Sequence, residues 1–219
     1  MYIQGDIHNV IKTIESNSIN LIYTNPPFGI TNKKWDKPLR WNELWKEIWR
    51  ILKPNGVVLI HASKPFSYRL IQSQTPKYNY VWIKNNSTCF LNAKKQPLRK
   101  VEEIYVFYKK SHTYNPQMIG NKKYKKSKTC NNDYYRKSKT GKQSTLFQIG
   151  RYPTDVLQYP IKVRGGKTIP DKMIEKFILT YSNIGDTVLD MTTHNKVVGN
   201  VVESLNRKFI GVDINKIEV

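Results

Sequence analysis

Apolar positions fall in short continuous runs that alternate with stripes spaced three and four residues apart, and the alternation covers most of the 219-residue chain. Residues 1–4 read as a short strand, and Gly5-Asp6 then turns into a helix with Ile7, Val10, Ile11 and Ile14 on one side. The run 19–23 is apolar on both faces, as a central parallel strand is. A polar loop over 31–38 precedes a helix predicted at 39–52, whose stripe of Trp41, Leu44, Trp45, Ile48, Trp49 and Leu52 is a core-packing face. Lys53-Pro54-Asn55-Gly56 punctuates its end. A buried strand at 57–62, a helix at 66–72 and two alternating, aromatic, edge-type strands at 78–83 and 103–108 follow. The last third repeats the theme: a helix at 171–181, a strand at 187–190, a helix at 197–205 and a strand at 208–213. Strands alternating with helices at this spacing predict an α/β fold, a mostly parallel sheet with helices on both faces.

Between 109 and 148 the pattern breaks. Hydrophobic residues thin out, and Lys122, Lys123, Lys125, Lys126, Lys128, Arg136, Lys137, Lys139 and Lys142 interleave with Tyr124, Tyr134 and Tyr135. A solvated charged loop explains such a stretch as well as a binding segment does. The formal charge of the whole chain, +21, favours a polyanionic partner. Lysines around phosphates give salt-sensitive, sequence-blind affinity, tyrosines stack on bases, and Asn131, Asn132 and Gln143 have the chemistry to reach base edges. No apolar run approaches the length of a membrane span, and Cys89 and Cys130 have no metal-ligand spacing, so an intracellular, reducing setting is expected.

The sharpest local signal is Thr24-Asn25-Pro26-Pro27-Phe28-Gly29, directly after the run 19–23. Pro-Pro also serves simply to end a strand. Here the stiff turn brings a side-chain amide, a main-chain carbonyl and an aromatic ring to one point, a combination suited to holding a planar heterocycle by its exocyclic amine. Two later strands each end in an acid, Asp190 and Asp213.

With these pieces placed, the chain resembles the β-group of S-adenosylmethionine-dependent DNA amino-methyltransferases. The resemblance runs through Gln4-Gly5-Asp6, Asn25-Pro26-Pro27-Phe28, Lys34-Trp35-Asp36 and Phe90-Leu91-Asn92-Ala93-Lys94-Lys95. It continues in Tyr114-Asn115-Pro116-Gln117, Tyr152-Pro153-Thr154-Asp155-Val156-Leu157, Gly185-Asp186-Thr187-Val188-Leu189-Asp190 and Asn206-Arg207-Lys208-Phe209-Ile210-Gly211-Val212-Asp213.

The resemblance implies a Rossmann-like methyltransferase sheet in circularly permuted motif order. A catalytic half would occupy 1–108, a basic target-recognition insert 109–152 and a cofactor half 153–219. Asn25, Pro26, Pro27 and Phe28 become the catalytic turn: Asn25 and the Pro26 carbonyl accept from the amine, and Phe28 stacks on the flipped base. Asp213 would take the cofactor ribose, Asp190 the methionine end and Asp6 the adenine amine, while Thr168, Pro170 and Lys172 lie where the family holds the methionine carboxylate. Lys94, Lys95, Arg99, Lys122, Lys123, Lys125, Lys126, Arg136 and Lys137 are the expected contacts to double-stranded DNA. Asn before Pro-Pro favours adenine N6 as target, with cytosine N4 the alternative, and homodimerisation, common in the group, stays open. The implied setting is the cytoplasm or nucleoid of a bacterium, or a virus-infected host cell.

Two departures stand out. After Asp190 the family has a glycine-rich loop, whereas this chain has Met191-Thr192-Thr193-His194-Asn195-Lys196-Val197-Val198-Gly199. The loop is therefore expected to take another path or to weaken the cofactor site, and a nucleic-acid-binding protein on a decayed methyltransferase scaffold is the competing reading. Val101-Glu102-Glu103 stands where the family often has His-Glu-Glu.

Overall fold

The structure is a computed structural model that describes residues 1–125, 147–161 and 169–215. Strand β1 (Tyr2–Gln4) leads into helix α1 (Ile7–Thr13), and β2 (Ile19–Thr24) is buried at every position. Helix α2 (Trp41–Ile51), strand β3 (Leu52–Ala62) and helix α3 (Phe66–Ser73) follow. Next come β4 (Tyr78–Thr88) and β5 (Arg99–Phe107), then β6 (Ile119–Lys125) and β7 (Phe147–Arg151). The chain closes with β8 (Val156–Gln158), α4 (Asp171–Tyr181), β9 (Thr187–Asp190), α5 (Val197–Ser204) and β10 (Lys208–Asp213).

Eight strands form one sheet in the order β1-β10-β9-β2-β3-β5-β4-β8. Every pairing from β1 to β3 is parallel, as is β4 with β8; only β5 runs against its two neighbours. Period-two alternation sorts the strand side chains onto two faces. Ile22, Val58, Ile60 and Leu189 pack under α1, α2 and α3, including Trp41, Trp45 and Ile48 of the tryptophan stripe. Leu21, Tyr23, Leu59 and Val188 pack against Met173, Ile174 and Phe177 of α4 and Val202 of α5. The sheet is thus covered on both sides, which is why its central strands carry no polar face.

Two expectations are corrected. Lys53-Pro54-Asn55-Gly56 does follow the helix, but as the first part of β3, because Leu52 already pairs with Ile19 across an irregularity in register. The strands expected at edges are internal: β5 lies between β3 and β4, and β4 between β5 and β8. Their aromatics, Tyr80, Trp82 and Tyr105, are buried and do not face solvent.

Backbone proximity divides the chain into two compact units, Met1–Asn115 with Asp155–Val219, and Pro116–Thr154. In the smaller one, β6 and β7 pair antiparallel, with Ile119 opposite Arg151 and Lys123 opposite Ile149.

Candidate active site at the carboxyl ends of the central strands

From β2 the chain moves outward to β3, and from β9 it moves outward the other way to β10, so the sheet reverses its winding between β2 and β9. Such a switch point opens a crevice beyond the carboxyl ends of the two strands. Four of the expected residues stand there in a row. Asp6 follows β1, Asp213 ends β10, Asp190 ends β9 and Asn25 follows β2, in the same order as the strands themselves. Gly5 donates its amide to the Asp213 carbonyl at 2.8 Å, which fixes the first two side by side. At about 4.8 Å per strand, the row spans about 14 Å.

The turn itself is held from several directions. Thr24 and Thr192 share a hydroxyl hydrogen bond of 2.9 Å across the switch point. Pro26 is buried, Asn25 is exposed, and among the described residues no group is bonded to the Asn25 side chain. The Phe28 ring is half-buried and stacks on Phe66 of α3, with centroids 5.2 Å apart and planes within 15°. Gly29 adopts φ +65, and a Cβ there would meet Pro38 Cδ at 2.7 Å.

Asp36 then closes the loop that Gly29 opens. Its carboxylate accepts from the amides of Gly29 (2.8 Å), Ile30 (3.0 Å) and Thr31 (2.7 Å) and from the Thr31 hydroxyl (2.7 Å). Burial alone would raise this carboxyl; the four donors outweigh it and lower the pKa below the ordinary value. Lys34-Trp35-Asp36 was legible only as part of a resemblance, and the role of Asp36 was not.

Asp190 is 4% exposed. Burial pushes its carboxyl up to about 6, and the Asp213 charge adds to this, against hydrogen bonds from the Thr192 amide and the Thr24 and Thr193 hydroxyls. Asp213 is half-buried and gives one oxygen to the Asn215 amide at 2.6 Å. Asp6 caps α1 through the His8 amide (2.9 Å) and also meets His8 Nδ1 (2.8 Å), whose Nε2 accepts from the Arg40 amide. The cap lowers the pKa of Asp6.

The loop that lacks glycine reaches α5 without them. Its residues, Met191–Lys196, all keep negative φ. Thr193 donates to the Asn195 carbonyl, and the Asn195 side chain accepts from the Val197 amide, giving α5 a polar start. His194 is exposed. The loop thus reaches α5 with no left-handed residue between Met191 and Lys196, and Asn195 accepts one amide of the helix start.

A buried row behind the turn escaped sequence reading. His61, with no exposed surface, contacts the Tyr23 hydroxyl through Nε2 (2.9 Å) and Glu102 through Nδ1 (2.9 Å), and Lys84 pairs with the same carboxylate. Burial would raise the Glu102 carboxyl, but its bond to His61 and the charges of His61 and Lys84 lower it. The four residues come from β2, β3, β5 and β4, so only the strand pairing reveals them as one group.

Other expected residues divide into those placed and those outside the described residues. Pro170 is the buried N-cap of α4, and Lys172 is exposed on its first turn. Lys94 and Lys95 are exposed, whereas Arg99 is half-buried and donates to the Lys64 carbonyl at 2.6 Å. Lys122 and Lys123 are exposed on β6, which ends at Lys125. Thr168, Lys126, Arg136 and Lys137 lie outside the described residues.

A two-faced parallel-centred sheet with carboxylates at adjacent strand ends, beside an exposed amide at the switch point, is an α/β architecture that binds ligands beyond its strand ends. Comparison then gives the family. The N6/N4 family model, described as DNA methylase, matches residues 19–219, and the chain belongs to that family, whose methyl donor is S-adenosylmethionine. Among its relatives are the type II methyltransferase M.HpaI of Haemophilus parainfluenzae (28% identical, 94% of this chain and 67% of that protein) and M.BglII of Bacillus subtilis (27%, 97% and 64%). The chain thus spans about two thirds of the length of these two. It is also similar to the DNA adenine methyltransferase YhdJ of Escherichia coli (28%, 97% and 78%). The fold matches the cytosine-N4-specific PvuII DNA methyltransferase with TM-score 0.67 (16% identical, 98% of this chain and 81% of that chain). It matches M1.HpyAVI in complex with S-adenosylmethionine at 0.59 (19%, 99% and 93%). Among the described residues, no helix is long and apolar enough to cross a membrane.

Proposed function

We propose that the chain methylates N6 of an adenine swung out of duplex DNA, with S-adenosylmethionine as donor. One observation carries the reading: the amide of Asn25 at the switch point, exposed and bonded to no described residue, one strand away from the buried carboxylate of Asp190.

The donor set fits the cofactor. Asp213 suits a ribose diol, Asp6 an amino-purine edge and Asp190 the cationic methionine end, in the order in which those parts follow one another along the molecule. Lys172, exposed on the first turn of α4, would pair with its carboxylate. When bound, S-adenosylmethionine supplies a methyl group activated by sulfonium.

The protein's part is acceptance and alignment. An aromatic amine is a poor nucleophile because its lone pair is delocalised into the ring. Asn25 Oδ1 and the Pro26 carbonyl accept its two N–H groups, which favours a pyramidal nitrogen and offsets the positive charge that grows on attack. A base stacked on Phe28 would extend the pair that Phe28 forms with Phe66. Asn25 is no base, so the proton leaves the alkylated nitrogen for water. In this reading 1–108 act on the base, 153–219 hold the donor and the basic stretch 109–152 selects the target.

Cytosine N4 presents the same amino geometry and is the second reading, supported by the fold match to a cytosine-N4-specific enzyme. Methylation-sensitive sequencing of DNA from cells expressing the protein separates the two. Methyl-adenine is expected at a single sequence, methyl-cytosine would transfer the reading to N4, and unmodified DNA with no calorimetric binding of S-adenosylmethionine would sink both. Asn25→Ala should lower methylation at least about 100-fold while leaving cofactor affinity within about twofold.

A further inference from the structure

We infer that Phe90 and Leu91 form an apolar wedge that enters the DNA base stack and fills the gap left by the extruded base. The inference rests on the DNA-methylating reading above. Leu91 is 101% exposed and Phe90 66% exposed, an arrangement that costs hydrophobic free energy unless something covers it.

The two side chains are presented firmly. They sit on a one-turn 3-10 helix, Phe90–Asn92, entered through Cys89 at φ 69. The turn is closed by hydrogen bonds from the Asn92 amide to the Cys89 carbonyl (3.0 Å), Ala93 to Phe90 (3.1 Å), Lys95 to Asn92 (2.9 Å) and Gln96 to Asn92 (3.0 Å). The loop base is tied by Thr88 to the Arg99 carbonyl and by Arg99 to the Lys64 carbonyl, just beyond β3.

Its position follows from the strand directions. β5 is antiparallel to both β3 and β4, so β4 points the same way as β3 and β2. The connection 89–98 therefore leaves the sheet at the same end as the Asn25–Phe28 turn.

Charge identifies the occupant. Lys94, Lys95 and Lys100 are exposed around the turn, and no carboxylate occurs in sequence between Lys84 and Glu102. An apolar tip in a basic collar matches a polyanion with an apolar interior, which is stacked duplex DNA. Extruding one base leaves a base-sized void, and two apolar side chains occupy it without loss of hydrogen bonds.

The test compares binding to a short mixed-sequence duplex with binding to the same duplex carrying one abasic site, where the gap exists in advance. The wild-type protein should prefer the abasic duplex by at least about tenfold, because the unstacking that opens the gap is already done. In the double variant Phe90→Ser with Leu91→Ser the preference should vanish, with the salt dependence of binding unchanged. Lys94→Gln with Lys95→Gln should weaken both duplexes equally and flatten the salt slope by about 2. A preference that survives the first variant, or is absent from a wild-type protein that binds and methylates DNA, overturns the wedge and leaves the methyltransferase reading standing. Loss of binding to phosphatidylserine vesicles in the first variant, with duplex binding unaltered, would assign the turn to a membrane surface and overturn it too. A wild-type protein that neither binds nor methylates duplex DNA removes the methyltransferase reading, and the wedge with it.

Discussion

Asp36 turns four donors of a single loop toward one carboxylate, and the loop begins one residue after Phe28. Asp36→Ala leaves three amides and a hydroxyl without their acceptor, so the turn loses its brace. Single-turnover methylation should fall about 10- to 100-fold, in line with the cost of small misplacement in a positioned reaction, and calorimetric cofactor affinity should stay the same. Asp36→Asn keeps one acceptor oxygen and should recover part of the rate. Asp190 makes a prediction with a sign. Its carboxyl binds its proton more tightly folded, at about 6, than at the ordinary 3.8, so its stabilising contribution is complete below about pH 4 and is lost as pH rises through about 6. The full loss is on the order of 3 kcal/mol, and denaturant unfolding at pH 4.5 and 7 should show about 2 kcal/mol of it in the wild-type protein and none in Asp190→Asn. The strand-end position of Asn25 could be read from the sequence because the apolar run and the Pro-Pro that mark it are adjacent residues. Asp36 could not, because its partners are main-chain amides, which carry no signature in residue type.

Helix α4 runs from Asp171 to Tyr181 around a buried stripe that begins at Met173 and ends at Tyr181, since packing on one face is what makes that segment a helix. The status of β4 and β5 was less accessible. Alternation in a strand reports that two faces differ and says nothing of which neighbours it pairs with, and two aromatic strands read as edges lie inside the sheet. The loop before α5 reaches its helix without glycine: φ stays negative throughout, and the Asn195 side chain accepts the Val197 amide. Tolerance ends one turn later. A Cβ on Gly199 would collide with the Tyr2 hydroxyl and approach Phe209 to 2.9 Å, so α5 lies close on β1 and β10 only because this residue is glycine. Gly199→Ala should destabilise the fold by about 1–3 kcal/mol, visible as a lower thermal midpoint, and cofactor affinity should fall with it because α5 follows directly on the Asp190 loop.

At the scale of the molecule, the charge of +21 sets how the protein meets DNA before any base is chosen. Affinity for unrelated duplex sequence should drop at least about tenfold between low and physiological salt, measurable by fluorescence anisotropy, while cofactor affinity changes little. A second property of the whole lies in the strand order. β9 and β10, made last, sit between β1 and β2, made first, and β8 covers the far side of β4. During synthesis, then, β1 has no neighbour and the Asn25 turn has no Thr192 beside it until the final strands emerge. A chain interrupted anywhere before β9 has the Asn25 turn but a sheet with β1 unpaired. Closing of the sheet is therefore left to strands made after the two that they join.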